Sequence, residues 1–420
     1  MKKKLILTIS IVLVFALTMF IAMQNDERVI YESGVHSIEV ADAFAMMYET
    51  EFGSGEYVVS DDTTWPLEGY VFNAELSRCE NGSTLYWDEE TQSVMMEANV
   101  SDKCYIYFDV YDPPVLSNYI ISEVYTGIDG ENGLYYHDGT GTYINADQEA
   151  GDNSYRYAGA NPNNYVCFGT DEEVCPTDNL YRIIGIFENE IKLIKNDYLT
   201  EDSLGVVSVY NNVQGESSWI NTYRGQLNII NNFYWNSNGN NSWSDSTLNN
   251  ALNNGYLNGI GNEWSNLIAE HTWTVGGNTY DNILYSNAKT VYEYEITNPV
   301  ENTSYSNKIG LMYISDYLYS ADSSYWNYPG YSTSGADYDY RSAIDYNWMY
   351  LGGYDWTITR RSTLDYSDVT NYAYRIHTAG YVGSDNVGTV VLSVRPTFYL
   401  NSDVRYISGT GTQSDPYRIA

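Results

Sequence analysis

From Leu5 to Met23 the chain runs LILTISIVLVFALTMFIAM without a charge, directly after Lys2, Lys3 and Lys4. At about 1.5 Å rise per residue, a helix of this length nearly spans the hydrocarbon core of a bilayer. Basic flanks resist translocation, so the pattern predicts a single-pass membrane helix with the lysines cytoplasmic and the bulk, from about Gln24, extracellular. A cleaved signal peptide has a similar basic start and would leave the protein secreted. Its apolar region is usually shorter, and Phe20-Ile21-Ala22 is a poor small-x-small cleavage site.

After a polar stem the pattern turns to short β-type runs between polar turns. Tyr57-Val58-Val59, Tyr70-Val71-Phe72, Thr84 to Trp87, Ser93 to Met96 and Cys104 to Phe108 read as strands. They predict a small antiparallel β-sandwich stalk over 24–112. Asp112-Pro113-Pro114 ends it, because two prolines block helix and sheet pairing alike. Leu116 to Tyr125 reads as a short amphipathic helix, making 113–125 a helical linker. The remainder, 126–420, is mixed. Tyr155-Arg156-Tyr157, Tyr165 to Phe168, Tyr181 to Phe187 and Ile191 to Ile194 read as strands, the last two joined by a hairpin turn at Asn189-Glu190. Ser244-Asp245-Ser246 predicts the cap of a helix from Thr247 to Leu257, with Leu248, Leu252 and Tyr256 on one face. The fold class expected is α+β.

Charge changes the picture next. The chain carries a formal charge of −35, and outside the leader its lysines are Lys103, Lys192, Lys195, Lys289 and Lys308. A surface this acidic repels phosphate backbones and excludes nucleic acid as a partner. The cysteines are Cys79, Cys104, Cys167 and Cys175, with no CxxC motif, and the histidines are scattered. Neither pattern suits zinc. Three connectivities are possible; disulfides Cys79–Cys104 and Cys167–Cys175 close the shortest loops and fit an oxidising exterior. Asp129, Glu131 and Asp138 in a glycine-rich stretch invite calcium, but their spacing does not match a twelve-residue EF-hand loop, and water-solvated turns explain them. No metal site or other cofactor is expected.

Five blocks occur in a familiar order: Tyr181-Arg182-Ile183-Ile184-Gly185, WSDSTLNNALNNGYLN from Trp243, IGLMYISDYLY from Ile309, WMYLGGYDWTITR from Trp348 and VRPTFYLNSDV from Val394. This order resembles a group of secreted Firmicutes surface proteins of unknown function, and GTGTQSDPYRI from Gly409 is similar to their ending. Their core is similar to the fold shared by C-type lectins and formylglycine-generating (sulfatase-modifying) enzymes. The resemblance implies a C-type-lectin-like α+β head over 126–420. Formylglycine-generating enzymes work through a late cysteine pair; here no cysteine follows Cys175, so that activity is not expected. The EPN or QPD tripeptide with a WND-like triplet, which binds calcium and sugar in lectins, is also missing.

No catalytic constellation emerges. With 55 carboxylates any acid/base pair can be drawn, which makes the choice uninformative. Aromatic residues crowd one stretch instead: Tyr325, Trp326, Tyr328, Tyr331, Tyr338, Tyr340, Trp348, Tyr354 and Trp356. Such side chains give stiff contact area with a polar tip, suited to sugar faces and protein partners. They also suit a loop-rich core low in Leu and Ile. The expectation is a non-enzymatic, adhesin-type cell-surface protein whose head binds a glycan or surface protein. The rival is a secreted hydrolase or modifying enzyme acting on cell-wall or dietary glycans.

Overall fold

The computed structural model describes residues 5–9, 44–60, 69–88, 93–98, 102–141, 148–199, 210–214, 230–331, 340–362 and 370–420. The expected stem, residues 10–23 of the apolar run, and Tyr338 lie outside the described residues. The architecture is α+β, mostly small antiparallel sheets with few helices. No helix among the described residues is long and apolar enough to cross a membrane. The chain divides into two units, Met1–Pro113 and Pro114–Ala420.

The smaller unit contains β1 (Leu5–Ile9), β2 (Phe44–Glu49), β3 (Tyr57–Ser60), β4 (Tyr70–Cys79), β5 (Thr84–Asp88), β6 (Ser93–Ala98) and β7 (Cys104–Val110). One sheet has the order β3-β2-β7-β4, the other β1-β6-β5. Where a helix is expected from Leu5, the first residues instead pair with β6; the β-branched Ile6, Thr8 and Ile9 suit a pleated strand. Nor is the unit wholly antiparallel. β2 runs parallel to β7, with Phe44 opposite Cys104 and Tyr48 opposite Phe108, which the long connection between them permits. Tyr48 stacks on Phe108 at 5.1 Å inside a core with Phe44, Val94, Met96 and Ile106. Cys79 faces Cys104 across β4 and β7, and a disulfide joins them.

The larger unit is built on a seven-stranded sheet. β8 (Leu134–His137), β9 (Ser154–Tyr157), β11 (Leu180–Phe187) and β12 (Glu190–Lys195) lie side by side, followed by Thr397–Tyr399 and Ile309–Gly310. β10 (Tyr165–Cys167) pairs with the start of β11, and β9 with its end. β11 is buried along nearly its whole length, which is why it reads as a continuous apolar run. The expected hairpin is present: Phe187 pairs with Glu190, and Glu188 and Asn189 turn the chain with positive φ. Gly185 is required here, because a Cβ would lie 2.4 Å from the Tyr155 carbonyl of β9. The Cys167–Cys175 disulfide closes the loop that precedes β11.

The expected helix starts at Thr247, and Ser246 accepts the Asn249 N–H as its cap. Leu248, Leu252 and Tyr256 are buried on one face, as their spacing predicts. The helix expected after Pro114 belongs to the larger unit. Leu116 and Ile120 are fully buried in the larger unit's core. Its second half, Ile120–Val124, winds as a π-helix, as do Ala251–Tyr256 and Glu293–Thr297.

Candidate functional site

A cavity of about 250 Å³ lies beside the β11–β12 hairpin. Its walls come from distant stretches of sequence. β9 supplies Arg156, the hairpin supplies Phe187, Glu188, Glu190 and Lys192, and strand His271–Thr274 supplies His271, Thr272 and Thr274. Asp152, Tyr292, Ile296, Tyr313, Ser315, Asp316 and Tyr399 complete it.

Lys192 is the centre of the wall. It lies opposite Tyr399 in the β12 pairing and is 1% exposed. Burying a bare ammonium is costly, so partners must hold it. Its Nζ donates to Asp316 Oδ2 at 2.6 Å. Four rings surround it: Tyr313 at 4.5 Å, Tyr399 at 5.3 Å, Trp273 at 5.5 Å and Phe187 at 5.7 Å. Trp273 approaches because Gly310 has no side chain; a Cβ there would lie 2.8 Å from the indole. Burial pulls the lysine pKa down, the Asp316 charge opposes this, and Arg156 adds to the fall.

Asp316 Oδ2 also accepts the Tyr313 N–H at 2.8 Å, at the start of helix Ile314–Tyr319. Glu295 serves the next donors. Its oxygens accept the Ile314 and Ser315 N–H groups at 2.9 and 2.8 Å and the Thr359 hydroxyl. These are N–H groups that a helix start leaves without intrahelical partners. Burial raises the pKa of Glu295 against those hydrogen bonds.

Arg156 is the second caged cation. Its guanidinium lies 4.8 Å from the Phe187 and Tyr319 rings and 4.9 Å from Tyr292. Nε donates to Ser154 and Nη2 to Asp152. Burial opposes ionisation of Asp152, but Arg156 and Ser154 outweigh it and hold the pKa at about 2. His271 stacks on Tyr399 at 3.8 Å. Burial and the Lys192 charge lower its pKa to about 4, so at neutral pH it is uncharged and its 3.6 Å approach to Glu190 is no ion pair. Burial and then Glu188 raise the pKa of Glu190. The cavity thus offers aromatic faces, hydroxyls, a neutral imidazole and carboxyls within one small volume.

The sequence-picked aromatic stretch is placed otherwise. Trp326, Trp348 and Trp356 are in the core, at 1%, 3% and 0% exposure, and are not surface residues. Each indole N–H finds a backbone carbonyl inside: Ala321, Tyr157 and Phe233 respectively. That satisfaction lets a tryptophan be buried without a stranded donor. Tyr325 is half-buried and stacks on Tyr346 at 3.8 Å. Half-buried Tyr354 meets His377 Nε2 through its hydroxyl at 3.2 Å. Tyr331 packs against Tyr381, Tyr328 is exposed, and Tyr340 opens the turn Tyr340–Asp345. None of Tyr325, Trp326, Tyr328, Tyr331, Trp348, Tyr354 and Trp356 lines the cavity.

Asp129 and Asp138 serve their own turns. Asp129 Oδ1 accepts Tyr136 N–H at 2.7 Å and the Tyr125 hydroxyl at 3.0 Å, while Asp138 Oδ1 accepts Thr140 N–H at 2.7 Å. Among the described residues no group of three or more His, Cys, Asp or Glu could hold a metal ion.

No protein-family model, curated protein or solved structure matches this chain. The cavity residues were missed in sequence because they are far apart. One signal was there: Lys192 sits within Ile191-Lys192-Leu193-Ile194, a charge inside an apolar strand, and such a charge needs a buried partner.

Proposed function

We propose that this chain is a bacterial cell-surface binding protein whose larger unit takes a glycan or a surface-protein ligand. The cavity beside the β11–β12 hairpin carries this reading. Tyr292, Tyr399 and Phe187 offer apolar faces, and Thr272, Thr274 and Ser315 offer hydroxyls. A sugar presents the complementary mixture of a C–H face and a hydroxyl rim. The two disulfides favour an oxidising location.

The lectin-like scaffold is part of the same proposal. Its support is that three of the five sequence blocks supply strands to one sheet, through β11, Ile309–Gly310 and Thr397–Tyr399. Two blocks are also tied by Arg395, which donates to Asp355 at 2.6 Å and to the Met349 carbonyl at 2.8 Å.

The test is a glycan array with the purified chain, repeated with Thr272→Trp to plug the cavity from its exposed strand position. The expected result is retention of one glycan class, lost in the variant. Silence on the array, or retention that the plug leaves unchanged, sinks the sugar reading. A second reading has one observation behind it: Glu190 is a carboxyl of raised proton affinity inside the cavity, the property a glycan hydrolase needs in its acid. Polysaccharide hydrolysis abolished by Glu190→Gln would replace binding with catalysis.

A further inference from the structure

Lys192 and Asp316 are separated by 124 positions in sequence yet joined by one short hydrogen bond in the core. With Nζ 2.6 Å from Oδ2, the carboxyl carbon falls at about 3–3.5 Å, the range of a near-attack arrangement. We infer that these two side chains condense into an intramolecular amide, a covalent strut between β12 and helix Ile314–Tyr319. The inference stands apart from the binding reading and holds or fails whatever the cavity takes.

The step balances without a co-reactant. The ammonium of Lys192 passes a proton across the hydrogen bond to Asp316, leaving an amine and a carboxylic acid. The amine lone pair attacks Cγ and forms the N–C bond. One of the two amine protons goes to the departing oxygen, the other stays on the amide nitrogen, the C–O bond breaks, and one water leaves. Nothing is oxidised or reduced.

Each requirement has a counterpart in the structure. The amine must be neutral; burial first and then the neighbouring Arg156 charge push it that way, against the Asp316 charge. A second carboxyl must carry the proton from nitrogen to oxygen. Glu295 is held by the N–H groups of Ile314 and Ser315, next in sequence to Asp316, and burial raises its affinity for a proton. Water must have a way out, and both Lys192 and Asp316 line the cavity. Other lysines are placed differently: the Lys195 and Lys308 amines donate to the backbone carbonyls of Asp178 and Ser265.

Peptide mapping of the full chain, reduced and digested with trypsin, decides the matter. An amide blocks cleavage at Lys192, so segment 183–195 should travel joined to 309–341, lighter than their sum by one water. Lys192→Arg should keep the positive charge and release 309–341 as a separate peptide. Glu295→Gln keeps an acceptor oxygen for one of the two backbone N–H groups and should leave most of the chain unlinked, with its folding checked by circular dichroism. Free 183–192 and 309–341 from the folded wild-type chain overturn the strut. Full linkage in Glu295→Gln overturns the proton-carrying role given to Glu295.

Discussion

The aromatic stretch 325–356 and the cavity beside the β11–β12 hairpin use the same kinds of side chain to different ends. In the stretch, tryptophans point inward and close their N–H groups on carbonyls, leaving the fold a packed interior. Around the cavity, Tyr313, Tyr399, Phe187 and Tyr292 instead surround cations that could not otherwise be buried. Local density of aromatics in sequence therefore marks packing here. The place where charge, ring and void coincide is assembled from single residues scattered from Arg156 to Tyr399.

The contrast can be broken most forcefully at Trp356. Trp356→Ala should cost about 3–5 kcal/mol in chemical denaturation, the range for emptying a large buried aromatic. A loss under about 1 kcal/mol would mean the indole is not a packing element and would reopen the stretch as a binding surface. Next comes the cage. Asp152→Ala leaves the Arg156 guanidinium buried without its carboxylate and should cost about 3 kcal/mol. Arg156→Met in the same background should recover part of that loss, since it removes the stranded charge; an additive further loss would show that the ring contacts, not the ion pair, hold the site.

A smaller effect separates the regions by pH. Folded His271 stays neutral down to about 4, whereas an unfolded histidine takes up its proton near about 6.5. Between these values the unfolded chain holds more protons, so stability should fall as pH drops from about 6.5 to about 4. After a discount for partial exposure the fall should be about 2 kcal/mol. His271→Phe should flatten that window in a pH series of denaturation curves. The smallest effect belongs to the exposed ring in the aromatic stretch: Tyr328→Ala should change stability by no more than about 0.5 kcal/mol. If it abolishes ligand retention on the array instead, the binding site belongs to the stretch after all.

Much of the local structure was legible in sequence, and for physical reasons. The hairpin shows because Glu188-Asn189-Glu190 interrupts two β-branched runs, and the helix at Thr247 shows because a serine precedes apolar residues four apart. Both signals act over a few positions. The cysteine pairing was legible to the extent that short loops close most readily. The parallel pairing of β2 with β7 was not, since nothing local specifies which distant strand lies alongside. The site was hidden for the same reason. His271 carries no neighbouring signal, and its role depends on a ring 128 positions on, as the spacing from His271 to Tyr399 shows. The tryptophans misled because an indole looks alike in sequence whether it faces a ligand or a carbonyl of its own chain.

The π-helical turn Glu293–Thr297 carries a consequence for how such a site can be gained or lost. A π turn is an α-helix with one residue too many. Removing a single codon there would let the turn relax to ordinary α geometry, in which consecutive side chains step by about 100°, and so reset the directions of the turn's own side chains, Glu295 among them. Glu295 would leave the Ile314 and Ser315 amides while every cavity-lining residue kept its identity. In the reverse direction, one inserted residue in an unremarkable helix is enough to deliver a carboxyl to this place. The genetic distance between a chain with this buried carboxyl and one without it is a single in-frame triplet.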